Sequence, residues 1–186
     1  MEYPELHRQI VEELLDGKFI LSRDPIYDVI KGKEDFYVSF FKASFNHDLE
    51  LTNEFARLIS DETDENLSRD ISVFFAILCY ELDRQGKNFL DALQYSEFSM
   101  EEINNIFENT SWIDLIRSNK QLRDSDTRKR FIFTAMGKRN IIEKVTDERF
   151  YFTSAHKVFI EYAKELAQKS VDAQQSLNSE QNYEPE

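Results

Sequence analysis

The sequence predicts a mainly α chain with small β-hairpins, an α+β fold made of two winged helix-turn-helix units in tandem. Three observations predict it. The order helix, strand, helix, helix, hairpin can be read before an acidic run at Asp61–Asn66 (DETDEN), and a comparable unit can be read after it. Apolar residues recur at helical spacing through most of the chain. Arg123–Thr153 (RDSDTRKRFIFTAMGKRNIIEKVTDERFYFT) reads as a helix, a basic turn and a two-stranded wing, the working end of a winged helix. The expected division is residues 1–60 as an N-terminal winged-helix-like domain, 61–66 as an acidic linker, 67–169 as a C-terminal winged-helix domain and 170–186 as a disordered polar tail.

Pro4 to Asp16 is the first expected helix. Proline suits a first turn, Leu6, Ile10, Val11 and Leu14 form a stripe, and Gly17 is a natural stop. Lys18–Ser22 is a strand candidate. Asp24-Pro25 opens a short helix that ends at Gly32. Lys33–Phe45 follows, with Phe36, Tyr37, Phe40, Phe41 and Phe45 on one wide face. Two readings of these rings stay open: a small core built from aromatics, or a patch in which Phe36, Tyr37, Phe40 and Phe41 bind a partner. Asp48–Thr52 and Phe55–Ser60 pair around Asn53-Glu54. This first copy has the winged-helix order but lacks a basic helix.

Leu67, Ile71, Phe74, Phe75, Leu78 and Leu82 mark the most periodic helix, capped by Asn66 or Ser68, ended by Gly86 and expected to pack between the halves. Its lone Cys79 reads as a buried, inert thiol. Phe89–Tyr95 is partly helical. Ser99 and Glu102 form a capping box for Met100–Asn109, whose core stripe is Ile103, Ile106 and Phe107. Trp112–Ser118 buries Ile113 and Ile116, with Trp112 read as core. Asp124, Ser125 or Asp126 caps a helix running to Lys138 with Phe131, Ile132, Ala135 and Met136 inward, and Asn140 stops it in the left-handed region. Ile142–Val145 and Phe150–Thr153 form the second hairpin. Ser154–Lys169 is the last helix, burying Val158, Phe159, Tyr162, Ala163 and Leu166.

The composition bounds the function. Net charge is −13, which disfavours wholesale wrapping of nucleic acid or binding to an anionic membrane. The charge is uneven: residues 120–150 hold nine Lys/Arg against five acids, while residues 1–119 hold 11 against 25. Within this basic island Arg128, Lys129, Arg130, Lys138, Arg139, Lys144 and Arg149 are the DNA-binding candidates. Asp124, Asp126, Glu143, Asp147 and Glu148 lie among them, so the expected contact with duplex DNA is weak and steeply salt-dependent. An acidic partner chain would suit the same island, and a solvated charged face is the plain alternative. The single Cys79 excludes an internal disulfide framework and fits a reducing cytoplasm. Neither a signal peptide nor a membrane span is expected.

Chemistry is not expected. His7, His47 and His156 are isolated and have no cysteine pair beside them, which argues against a metal site. The four glycines are far apart, which argues against a phosphate loop. There is no G-x-S-x-G elbow. The chain therefore reads as a non-enzyme without cofactors.

The segments FILSRDPIYDVI, DFYVSFFKASF followed by HDLEL, ARLIS, SRDISVFFAILCYEL and RKRFIFTAMGKRNIIEKVTDERFYFT resemble, in order and spacing, the MukE/MksE subunits of bacterial condensin complexes. The likeness spans about residues 15–168. These subunits are tandem winged-helix partners of kleisins. The resemblance implies a non-catalytic, cytoplasmic and nucleoid-associated subunit that dimerises and binds a MukF/MksF-like kleisin. It would assist an SMC-like ATPase in DNA organisation, chromosome partition or plasmid defence, without membrane contact. The alternatives are a free-standing winged-helix transcription regulator and a small enzyme.

Overall fold

The computed structural model describes residues 3–59 and 65–164. In the first half, α1 (His7–Leu15), β1 (Ile20–Leu21), α2 (Pro25–Gly32) and α3 (Glu34–Phe45) precede a hairpin of β2 (Asp48–Leu51) and β3 (Phe55–Ile59). The second half begins with α4 (Glu65–Arg84), α5 (Phe89–Tyr95), β4 (Glu97–Ser99), α6 (Met100–Glu108) and α7 (Ile113–Ser118). It continues through α8 (Ser125–Arg130), a π-helical segment (Phe131–Met136), β5 (Ile142–Lys144), β6 (Arg149–Phe152) and α9 (156–164). Each half holds one antiparallel three-stranded sheet, ordered β1-β3-β2 and β4-β6-β5. In both, the last strand of the hairpin lies in the middle and the lone early strand lies at the edge.

Local chemistry sets most of the boundaries. The Asp24 carboxylate accepts from Ile26 N–H at 3.0 Å and starts α2, with Pro25 behind it. Asn88, Ser99 and Asp124 cap α5, α6 and α8 in the same way. Gly86 at φ 74° ends α4, and Lys87 N–H closes on Leu82 O at 3.0 Å, the left-handed C-terminal motif. Asn46 (φ 55°) and Asn140 (φ 58°) stop α3 and the helix after the π segment. Helix α1 starts later than Pro4 predicts because Leu6 takes φ 61°, which no helix accommodates. Helix α4 already includes Asn66, so that residue is not its cap.

Two apolar clusters fill the interior. The smaller joins Ile10, Leu14, Ile20, Tyr27, Ile30, Tyr37, Phe41 and Ala56. The larger lies around Ile71, Phe74, Phe75, Leu78 and Leu82 of α4, and it also contains Phe19, Leu21 and Phe55 from the first half. Strand alternation explains the sharing. Ile20 faces the small core, while its neighbours Phe19 and Leu21 face the large one; Ala56 and Phe55 divide likewise. The rings Phe55, Phe19, Phe159 and Phe75 continue this link, with successive centroids 5.3, 6.0 and 6.1 Å apart. Thus α4 is the spine of the second half, and Phe159 of α9 completes the bridge to the first.

Polar bonds cross the same junction. Phe19 N–H donates to Arg139 O at 3.0 Å, and Asn140 Nδ2 donates to Phe19 O at 2.8 Å. Lys157 pairs with Glu54 at 2.5 Å, and Arg23 pairs with Glu143 at 2.5 Å.

Some expected positions differ. Trp112 is 47% exposed rather than core, because it precedes α7 and lies edge-on to the exposed Tyr80. Tyr162 is exposed, and Ile160 is buried in α9 beside Phe159. Ala135 is only half-buried. In the π segment Phe131, Ile132 and Met136 are the buried positions, an i, i+1, i+5 pattern. Asp61–Asp64 of the acidic linker, Leu166 and the polar tail 170–186 lie outside the described residues.

Candidate nucleic-acid interface and partner surface

The basic island is built on α8, the π segment and the β5–β6 wing. Asp124 fixes the start of α8: its carboxylate accepts from Thr127 N–H at 2.8 Å. Its hydrogen bonds from Thr127, together with Arg123, hold its pKa down to about 2. The cap is therefore charged throughout the neutral range.

The seven basic candidates end up in different environments. Arg128, expected at the surface, is 1% exposed. Its Nη1 donates to Leu122 O at 2.7 Å, its Nε donates to Asn104 Oδ1 at 2.9 Å, and Glu108 lies 3.5 Å from Nη2. The guanidinium packs 5.3 Å from the Phe107 ring centroid. Burial draws its pKa down, while Glu108 and Asp124 act against that shift. Arg128 thus fastens α8 to α6 and the preceding loop, and it is not placed to meet a phosphate.

Lys129 pairs with Glu148, and Arg149 pairs with Glu97. Lys144 lies 2.5 Å from Asp147 and 5.7 Å from the Phe133 ring centroid. Arg139 Nη1 donates to Ala135 O at 3.2 Å. Arg130 and Lys138 are exposed, and their side chains have no hydrogen bond or ion pair among the described residues. Four of the five interspersed acids are occupied too: Asp124 by Arg123, Glu143 by Arg23, Asp147 by Lys144 and Glu148 by Lys129, while Asp126 is exposed and has no such partner among the described residues. Much of the island's charge is therefore cancelled pair by pair.

The aromatic candidates split by depth. Tyr37 and Phe41 are fully buried and belong to the small core, so they cannot form a surface themselves. Phe36 and Phe40 are half-buried and stack at 6.0 Å with planes 13° apart. His7 meets the edge of Phe40 at 4.8 Å and stacks on Tyr3 at 4.5 Å. Tyr3, Val38 and Phe45 are exposed around them. The result is an aromatic face of α3 extended by α1. Helical spacing marks five rings as one group but does not divide them by depth; only the packing of α1 and α2 does.

Two other features were not read from the sequence. Thr134 is exposed midway between Arg130 and Lys138. Glu81 is 1% exposed and accepts from Thr110 Oγ1 at 2.6 Å and Arg84 Nε at 2.7 Å, anchoring the turn that carries Trp112. Cys79 is half-buried, and burial pushes its thiol up to about 12, so it is not a ready nucleophile. A groove of about 530 Å³ runs between β3 and α9, lined by Arg57, Leu58, Ile59, Val158 and Tyr162 among others. Among the described residues no three His, Cys, Asp or Glu side chains gather into a metal site, and no helix is long and apolar enough to cross a membrane.

No curated protein matches this chain. The family model described as "Condensin complex protein MksE" matches residues 5–163, which takes in both sheets, the aromatic face and the whole basic island. With the match extending over both halves, the chain belongs to the MksE family of condensin complex proteins.

Proposed function

We propose that this chain is a non-catalytic accessory subunit of an SMC-type condensin complex, with two winged-helix units in tandem. It binds a MukF/MksF-like kleisin, forms a homodimer, and lends the assembly a weak contact with double-stranded DNA. Its place is in the cytoplasm on the nucleoid, in DNA organisation, chromosome partition or plasmid defence. The observation that carries this reading is the family match over residues 5–163, together with the same strand order in the two halves. The exposed part of the aromatic face, Phe36 and Phe40 above the buried Tyr37 and Phe41, supports a protein partner on the first half. The basic residues of the second half support the DNA contact.

The test is recovery of the tagged protein from its native cell, followed by mass spectrometry. Co-recovery of a large coiled-coil ATPase and a kleisin-like chain is the expected result. Recovery of the protein alone, with duplex DNA retained at moderate salt, would replace this reading with that of a free-standing regulator.

A further inference from the structure

The π segment decides which basic side chains face outward together. In an α-helix, residues eight positions apart are turned by about 80° relative to each other. A π turn inserts one extra residue, takes back about 100°, and leaves such a pair about 20° apart. The insertion is visible in the bonding: Gly137 N–H reaches back five residues to Ile132 O. Between residues 130 and 138 the exposed positions are Arg130, Thr134 and Lys138, and the residues between them are buried or half-buried. The π turn therefore draws these three side chains into one straight row along the helix. Asp126 stands one turn before the row, on α8.

Arg130 and Lys138 are also the two island candidates whose side chains have no hydrogen bond or ion pair among the described residues. Eight residues of helix span about 10–12 Å, close to the width of about 12 Å of a B-DNA major groove. Two unengaged cations at that separation, with a short hydroxyl side chain between them, suit phosphates on either side of a groove and leave the helix room to approach.

We infer that the row Arg130–Thr134–Lys138, aligned by the π turn, is the DNA-contacting edge of this subunit, and that Lys129, Lys144 and Arg149 are secondary. The inference rests on the DNA contact proposed above and assigns it to particular side chains. Breaking a carboxylate pair to reach phosphate gains less than using a cation that has no such partner.

The test is fluorescence anisotropy of the full chain with a labelled duplex of mixed sequence over a salt series. Arg130→Ala/Lys138→Ala is expected to weaken binding about 10-fold or more and to lower the slope of log affinity against log salt by about two. Lys129→Ala/Lys144→Ala/Arg149→Ala is expected to weaken it by no more than about threefold. Thr134→Lys, which extends the row, is expected to tighten binding and steepen the slope by about one. A triple variant that loses as much as the double, or a Thr134→Lys chain with unchanged slope, overturns the row and leaves the DNA contact standing. A wild-type chain that binds no duplex even at low salt overturns the DNA contact itself, and the row with it.

Discussion

The two halves share a strand order but use the helix before the hairpin in different ways. Helix α3 is held from beneath by rings, Tyr37 and Phe41, and shows solvent a mixed face of Val38, Lys42, Phe45 and first-turn acids. Helix α8 and its π continuation are held by Phe131, Ile132, Met136 and a buried cation, Arg128, and show solvent Arg130, Thr134 and Lys138. One architecture thus carries an aromatic surface in the first half and a cationic surface in the second. The lesson is that topology fixes where a helix lies, whereas the depth of each residue decides what the helix can touch.

The sharpest way to break this comparison is at the buried anchors. Arg128→Met strands Asn104 Oδ1 and Leu122 O, so the second half should lose about 3 kcal/mol, read as a shift in urea midpoint. The counterpart in the first half should behave differently. The Tyr37 hydroxyl is buried without a hydrogen-bond partner among the described residues, so Tyr37→Phe should be neutral or slightly stabilising. Equal losses from both changes would mean that the anchors are not of different kinds.

Next in size is the joint between the halves. Asn140 has two separable roles: a left-handed backbone and a side-chain bond to Phe19 O. Asn140→Gly keeps the first and loses the second, with an expected cost of about 1 kcal/mol. Asn140→Ala loses both and should cost about 1 kcal/mol more. Chemical denaturation of the two variants distinguishes the roles, and identical curves would assign no cost to the backbone geometry.

The smallest expected effect is on pH dependence. Burial lowers the pKa of His7 in the first half and of His156 in the second. For His156 burial outweighs the hydrogen bond between Nδ1 and Thr153 O at 2.6 Å, with Lys157 acting in the same direction as burial and Glu54 against it. A depressed folded-state pKa means that the unfolded chain binds protons first. Both histidines therefore contribute stability above their ordinary value of 6.5, and this is lost as pH falls through the lower folded-state values. Thermal midpoints should decline from pH 7 to pH 5, less steeply in His156→Gln. A His156→Gln profile parallel to wild type would leave His156 no part in the decline.

What could be read from the sequence was what neighbours in the chain decide. Asp24-Pro25, Ser99 and Asp124 act within three residues of themselves, and their N-caps form; of the capping box only the Ser99 half is made, because the Glu102 carboxylate turns to Lys87. Asn140 and the alternation of Phe150, Tyr151 and Phe152 are equally local. The burial of Arg128 was not legible, because it depends on Asn104 and Leu122 arriving from α6 and a loop. Trp112 looks like core by residue type, yet its position ahead of α7 leaves it outside. The π turn left a trace in the spacing of Phe131, Ile132 and Met136, but a wide α-helical stripe absorbs the same residues.

The segment Phe19–Leu21, β1 and the residue before it, has one further consequence. Because adjacent side chains are anchored in opposite cores, it cannot tilt without disturbing both, and the clamp from Arg139 and Asn140 holds it at the backbone as well. The molecule therefore works mechanically as a ruler rather than a hinge. The aromatic face and the cationic row are thereby kept at a set distance and angle to each other.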